Sequence, residues 1–386
     1  MVTVEAIQGG HNMAISNMQS IKQSNYSAIY KLLYSNNKLS KQLIAEQLQL
    51  SLPTVSSNLQ ELINNQLVKK NGKFESQMGR RATAYSINPT AIVSLGVEIF
   101  YDHASVVLIN TLGDLIATSR LSLMFERQES YFKQFGTWIS NFIDNQKLKK
   151  SQIAGVGIGI QGLVSNDGQT ILYGKILNCT GLSTTDFKPY LNYNITFYHD
   201  ADCVAVAEQE QNKSNGDAIY LSIGEHLGTA IMVDGQIYSG QNGRSGTMEH
   251  ITLDSHQGRQ CYCGKKGCIE TYCSLSSLLV DNESATAFFN RLNQNDQGTV
   301  ARWKTYLDYL ADAINNLHMF VDNPIYLAGE IVRFIDQNTI DALAERTKKI
   351  TAFPDDYNYL FLGKITDFAV AIGAGLPKID EAINNI

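Results

Sequence analysis

The sequence predicts a mixed α/β protein in two parts, an N-terminal winged helix-turn-helix followed by an α/β body of two lobes. Three observations carry this expectation. The first ninety residues hold short runs of helical apolar spacing and then a cationic hairpin. Beyond Pro89 the chain changes to β-rich runs separated by helices, and that plan occurs twice. Charge divides at the same place: residues 1–90 carry nine Lys/Arg against four Glu, a surplus of +5, which leaves −11 in the remainder of a chain whose net charge is −6. A basic head on an acidic body suits a polyanion partner for the head alone. At 386 residues the chain exceeds the roughly 250–300 at which a single core stops growing.

Residues 1–18 show no organised pattern and are expected to form a disordered arm. The DNA-binding unit is expected over 19–89. Tyr26, Ile29, Tyr30 and Leu33 recur at helical spacing, and a second short helix follows with Leu43, Ile44, Ala45 and Leu48. After the tight connection Gln49-Leu50-Ser51, a third helix begins near Leu52-Pro53, where proline suits the first turn, and runs through Val55, Leu59, Leu62 and Ile63. Its outer face is expected to offer Thr54, Ser56, Ser57, Asn58 and Gln60, short polar side chains able to reach base edges and phosphates. Leu67–Lys70 and Ala84–Ile87 read as two strands around the tip Gly79-Arg80-Arg81, a wing that would place Arg80 and Arg81 against phosphate or in a minor groove.

The body is expected over 90–386. Ile92–Ile99, Ala104–Ile109 and Leu115–Thr118 read as strands, the last two joined by a turn at Gly113-Asp114. A helix over roughly Tyr131–Asn145 and a strand over Ile153–Ile160 follow. A second set, Ala218–Ser222, Thr229–Val233 and Gln236–Tyr238, precedes a helical half that includes Trp303–Phe320. Two similar halves would enclose a cleft.

The densest chemistry is the run His250, Cys261, Cys263 and Cys268, spaced H-x10-C-x-C-x4-C with Gly264 and Gly267 bending the chain between thiols. Three soft ligands and one imidazole complete a tetrahedral set with no open position, so a structural zinc ion is expected and hydrolysis by metal-bound water is not. Cys179, Cys203 and Cys273 are expected to be small core residues. No run of about 18 apolar residues occurs and no secretory leader is legible, so a cytoplasmic protein is expected.

Gly246-Thr247-Met248-Glu249-His250, followed by Cys261-Tyr262-Cys263-Gly264-Lys265-Lys266-Gly267-Cys268-Ile269-Glu270, resembles the signature of the ROK family (repressors, open reading frames, sugar kinases). The winged helix ahead of it resembles the NagC/XylR-type repressor branch, and the likeness runs from about Tyr26 onward. The resemblance implies an actin-like, hexokinase-like two-lobed ATPase-type fold, a homodimer or higher oligomer, and a monosaccharide or derivative in the interdomain cleft. By the same resemblance, Asp200 in Tyr198-His199-Asp200-Ala201-Asp202 stands where relatives keep the catalytic base, and His199 replaces their sugar-binding Asn. Thr247 replaces the Glu of their Gly-Glu-x-Gly-His motif. Gly162, His250 and Glu270 match further sugar contacts, with the zinc loop 246–270 between ligand and dimer contacts.

A kinase of this family would present glycine backbone to the phosphates in an Asp-x-Gly-Gly-Thr-like turn. The matching stretch here is Glu98-Ile99-Phe100-Tyr101-Asp102, bulky where close approach is needed. The second phosphate turn reads Gly224-Glu225-His226-Leu227-Gly228-Thr229, and the adenosine-side glycines are reduced to Ala328-Gly329-Glu330. The expectation is therefore a sugar-responsive repressor of carbohydrate genes bound to double-stranded operator DNA, without catalysis. A residual sugar kinase and a regulator controlled by a protein partner are the alternatives.

Overall fold

The computed structural model describes residues 5–74, 81–213, 216–280, 282–353 and 358–386, with side chains from Ser20 onward. The N-terminal unit comprises α1 (Glu5–Tyr34), β1 (Leu39–Ser40), α2 (Lys41–Leu48), α3 (Leu52–Asn64), β2 (Val68–Lys73) and β3 (Thr83–Ile87). α1 thus begins inside the stretch 1–18 that carries no sequence pattern. Tyr26, Ile29, Tyr30 and Leu33 are buried on one face, as the i, i+3, i+4, i+7 spacing requires. Ser40 caps α2, its hydroxyl accepting from the Leu43 N–H at 3.2 Å, and Ser51 caps α3 by accepting from the Thr54 N–H at 3.3 Å. Gln49, in the left-handed region, turns the chain between the two helices. The wing is three-stranded, because β1 adds to the β2–β3 hairpin in the order β1-β3-β2. Its tip, with Arg80, lies outside the described residues, and Arg81 is exposed.

The first lobe contains β4 (Val93–Ile99), β5 (His103–Asn110), β6 (Leu115–Ser122), α4 (Glu129–Asn145), β7 (Ile153–Ile160), β8 (Leu163–Val164), β9 (Ile171–Tyr173), α5 (Thr184–Phe187), β10 (Ile195–His199) and α6 (Asp200–Asn212). The second contains β11 (Ala218–Ile223), β12 (Leu227–Val233), β13 (Gln236–Ile237), α7 (Glu270–Cys273), α8 (Leu275–Leu278), α9 (Ala285–Asn293), α10 (Gln297–Phe320), β14 (Ile325–Ala328), α11 (Gln337–Ile350) and β15 (Leu360–Leu362), after which α12 (Ala369–Asn384) returns to the first lobe. Both five-stranded sheets have one plan. Their orders are β10-β7-β4-β5-β6 and β13-β12-β11-β14-β15. In each, the first strand makes an antiparallel pair with the second and a parallel pair with the fourth. The repeated half expected from the strand pattern is therefore a true topological duplication.

α12, from the end of the chain, packs on the first-lobe sheet and on α6. A Cβ at Gly96 would overlap the Ala371 carbonyl oxygen, one at Gly157 the Ala374 oxygen, and one at Gly373 the Cys203 oxygen. Backbones therefore touch where side chains would hold them apart. Ser94 adds a buried hydrogen bond to the Gly375 carbonyl at 2.8 Å. The buried Lys378 ammonium reaches Thr196 of β10 at 2.5 Å and Glu381 at 2.9 Å.

The far end of α12 leaves the body. Ile379 and Ile383 join the winged-helix core formed by Ile29, Tyr30, Leu33, Leu59 and Leu62, and Gln23 donates to the Ile386 carbonyl. The link at residues 88–92 is tied on both sides, Asn88 to the Gln66 carbonyl and Gln152 to the Thr90 carbonyl, each at 2.8–2.9 Å. Ile383→Ala should therefore cost about 2–5 kcal/mol at the junction. Hydrogen exchange should quicken in α1 and α3 while β11–β15 keep their protection; uniform loosening of both lobes would contradict this division.

Candidate functional site

β7 and β10 are parallel neighbours with His199 in register with Ile160, so Gln161-Gly162 and His199-Asp200 emerge together at their C-terminal ends. Ligand crevices in α/β sheets form at such ends. Gly162 must be glycine because a Cβ there would press into the Tyr173 carbonyl oxygen. His199 caps α6 and Asp200 opens it, so the carboxylate sits on the positive end of the helix. From the second lobe come His226 and Leu227 at the β11–β12 turn, a 3-10 turn over Met248–His250, and Tyr262. Together they enclose a cavity of about 120 Å³, which Gly162, His199, Asp200, Thr247 and His250 all line. A larger hollow of about 380 Å³ between α10, α11 and β15 holds none of the expected residues.

Glu270 departs from expectation. It does not line the cavity, because one oxygen pairs with His226 Nδ1 at 2.7 Å and the other accepts from the Leu227 N–H at 2.7 Å. It acts one layer behind, orienting His226. Burial works against protonation of His226, but Glu270 outweighs it and holds the imidazole above its ordinary pKa. Thr247 donates its hydroxyl to the Arg244 carbonyl at 2.9 Å. Reading by residue type passed over three wall residues, His226, Glu249 and Tyr262. Tyr262 stands edge-on to both His226 and His250, with ring centroids 5.3 and 5.2 Å away. Its place between two cysteines of the motif was the available signal.

Charge is concentrated at the cavity floor. His199 lies 3.4 Å from Asp200 and 3.9 Å from Asp202. Burial alone would lower the His199 pKa, yet Asp202, Asp200 and Glu249 raise it to about 9. Burial raises Asp200 against the opposing pull of His199, and lifts the Glu249 carboxyl to about 7.

Beside the cavity, the donor atoms of His250, Cys261, Cys263 and Cys268 lie within 4.8 Å of one another, a set that could hold a metal ion. His250 Nδ1 is 3.8 Å from Cys261 Sγ, and the Cys263 and Cys268 sulfurs are 3.7 Å apart. The loop is folded by the Cys261 N–H bonded to the Lys265 carbonyl and by Gly267, where a Cβ would strike the Asp254 backbone. Burial, with Lys265 nearby, holds His250 below its ordinary pKa and so in the neutral form that ligates metals. Cys179, Cys203 and Cys273 are buried free thiols away from this set.

On α3, Ser57 and Gln60 are exposed, and Gln60 bonds Asn64 at 2.9 Å. Thr54 and Ser56 are half-buried, Thr54 sharing the cap hydroxyl of Ser51 at 2.8 Å and Ser56 accepting from Lys41 at 3.1 Å. Asn58 corrects the expected outer face: it is only 3 % exposed and its amide donates to the Thr54 carbonyl. Its position three residues after Val55 and four before Leu62 puts it on the apolar stripe. Lys69, Lys70 and Lys73 are exposed along the wing.

The ROK family profile matches residues 94–376, and a winged helix-turn-helix DNA-binding profile matches residues 27–69. This chain belongs to the ROK family. It is 26 % identical over 330 residues to the xylose repressor of Bacillus spizizenii, covering 83 % of this chain and 85 % of that one. It is 26 % identical over 379 residues to the DNA-binding transcriptional dual regulator NagC of Escherichia coli K12, covering 97 % and 88 %. A solved ROK family transcriptional regulator, a homolog of the E. coli MLC protein, superposes with a TM-score of 0.74 at 20 % identity over 94 % of this chain and 96 % of its own. A ROK family glucokinase from Streptomyces griseus, solved with glucose and AMPPNP, superposes at 0.65 and 16 % identity over 73 % and 97 %. These two likenesses establish the two-lobed ROK fold behind the winged helix.

A second cavity in the ROK body adjoins the first, with Gln161, Asp200 and His226 lining both. Its walls carry Glu98, Asp102, Glu225 and Glu330. The Arg120 and Arg333 side chains there are already engaged, Arg120 by Ser105 at 3.1 Å and Arg333 by the Thr366 carbonyl and Asp367 at 2.6 and 2.7 Å. Phe100 stacks on His103 at 4.9 Å and fills the turn after β4.

The His199 network sets a pH dependence. The folded pKa, raised from 6.5 to about 9, gives stabilisation that is complete below the unfolded value and is lost as pH rises through the folded one. Melting temperature should therefore fall more between pH 6.5 and 9.5 in the wild type than in His199→Asn. Parallel curves would show that the imidazole does not titrate there.

Proposed function

We propose that this ROK protein is a sugar-responsive, DNA-binding transcriptional regulator, a repressor of carbohydrate uptake or catabolism genes that acts in the cytoplasm as a homodimer on paired half-sites. The observation that carries this reading is the continuous path from cleft to winged helix. Asp200 opens α6, α6 packs on α12 through Gly373, and α12 ends in the winged-helix core. A monosaccharide that closes the lobes would move α6 and α12 together, and α12 would carry the shift to α3 and the wing. Such an effector must bind open and closed forms with different affinity. Two winged helices related by the dimer axis would then change their spacing on DNA.

Zinc fits the cluster. Tetrahedral Zn–S and Zn–N bonds of about 2.3 and 2.0 Å give donor separations of about 3.5–3.8 Å. The His250–Cys261 and Cys263–Cys268 distances of 3.8 and 3.7 Å match them. All four positions are filled by protein donors, so the ion would be structural, fixing the turn that presents His250 and Tyr262 to the sugar. Cys263→Ser should lower bound zinc below one equivalent, reduce the melting temperature and abolish sugar response together. Full zinc content at wild-type stability would refute the structural assignment.

Asp200, shared by both cavities, favours a second reading as a sugar kinase that also binds DNA. The five carboxylates around the second cavity, Asp200 included, and the engaged arginines oppose it, since a triphosphate needs open cationic and N–H donors. Two measurements decide. In mobility-shift assays the protein should retard its own promoter region more tightly than random DNA, with affinity altered by D-xylose, D-glucose or a related sugar. Arg80→Ala/Arg81→Ala should weaken retardation on all sequences and flatten its salt dependence. Absence of promoter-specific retardation would overturn the regulator; sugar-dependent ADP release from ATP and Mg²⁺ would instead establish the kinase.

A further inference from the structure

Four of the five polar side chains expected to read DNA from α3 are engaged within the protein: Thr54 with the Ser51 hydroxyl, Ser56 with Lys41, Asn58 with the Thr54 carbonyl and Gln60 with Asn64. The helix itself, Leu52–Asn64, contains neither Lys nor Arg, so it has no donor for the commonest bidentate readout of guanine. Its one acid, Glu61, is paired with Lys22 at 2.8 Å. The uncommitted surface at the leading end of the helix is apolar. Leu52 is 49 % exposed, and Pro53 beside it is exposed as well.

Leu52 does not serve the packing of its own domain. Among the described residues, the winged-helix core takes Val55, Leu59 and Leu62 from α3 and has Ile63 packed against it, and Leu52 belongs to neither set. Helix-end geometry does not call for leucine either, since Ser51 supplies the cap and Pro53 the fixed first-turn backbone. On the helix surface Leu52 lies one turn ahead of Ser56, and Pro53 one turn ahead of Ser57, so the two apolar residues top the rows that continue into the outer face.

The surroundings select the partner. A helix-turn-helix sets the first residues of its recognition helix against base edges, and the DNA-binding profile over residues 27–69 includes this turn. Exposed Lys69, Lys70 and Lys73 on the wing supply the attraction for phosphate. Within a major groove, the apolar group that a base edge offers is the C5-methyl of thymine, which no other DNA base carries.

We propose that Leu52 is a specificity-determining residue that packs, together with Pro53, on a thymine methyl in the major groove, so that each half-site requires a T·A pair opposite the start of α3. The inference rests on the DNA-binding reading above and deepens it.

Fluorescence anisotropy of the full-length protein on its own promoter region, amplified once with dTTP and once with dUTP, tests it. Uracil pairs with adenine as thymine does and lacks only the methyl. The wild type should bind the thymine form at least about fourfold more tightly, the contribution of one buried methyl. Leu52→Ala should bind the two forms with nearly equal affinity, whereas Leu52→Met, which keeps an apolar tip, should retain most of the preference. Salt dependence should be the same in all three proteins, because no phosphate contact is altered. Melting temperature and affinity for random-sequence DNA should also match the wild type, because Leu52 lies outside the core. Equal wild-type affinity for the two forms, or an undiminished thymine preference in Leu52→Ala, overturns the proposal. So does a loss of melting temperature and of random-sequence binding in both variants, which would mark Leu52 as structural. Wild-type preference for the thymine promoter over random DNA separates the two levels: its presence with any of these failures leaves the regulator standing, and its absence removes the regulator and this inference with it.

Discussion

Backbone-to-backbone contact between α12 and the first-lobe sheet is the constraint on which the rest of the architecture depends. At Gly96, Gly157 and Gly373 no side chain intervenes, so α12 cannot slide or tilt without moving β4, β7 and α6. A helix held this closely behaves as part of the sheet. Its far end, carrying Ile379 and Ile383, is equally part of the winged-helix core. One element thus belongs to two cores, and the DNA-binding unit is seated on the sensor through packing as well as through the tied segment at residues 88–92.

The same packing explains where the chemistry lies. α6 starts at Asp200 because β10 ends at His199, and α6 lies against α12, so the residues at the cleft floor and the rod leading to the winged helix share a single rigid junction. Opposite them, the second lobe contributes a short turn and a cysteine loop, elements with little regular structure of their own. A metal ion in the Cys/His set would stiffen that side much as glycine packing stiffens the other. A cleft between one rigid wall and one pinned loop responds to a ligand by relative motion of the lobes, since neither wall deforms readily.

The charge pattern favours the proposed regulator over a phosphoryl-transfer enzyme on the same fold. Asp200 still sits between the two cavities, so the scaffold of transfer is present. The neighbouring cavity is walled by carboxylates and by arginines already hydrogen-bonded, and Phe100 occupies the turn where phosphates would need bare backbone. Fold alone does not decide function, so the charges around the second cavity carry the argument.

Much of this was legible from residues alone. Helical spacing located α2 and α3, the turn residues located the wing, and the cysteine spacing marked a loop that could hold a metal ion, because each rests on local geometry with a short period. Asn58 was misplaced because its polarity suggested an outer face, although its spacing from Val55 and Leu62 already put it on the buried stripe. Glu270 leaves the cavity wall for a different reason. Which carboxylate reaches a cavity depends on what its oxygens meet, and Glu270 meets His226 and the Leu227 N–H, residues more than forty positions away in the chain. The elements, the Cys/His loop and the family were all readable in the residues. Only the tertiary structure decided that Glu270 is satisfied behind the cavity wall, and that α12 joins sensor to DNA reader, because both are set by contacts between segments far apart in sequence.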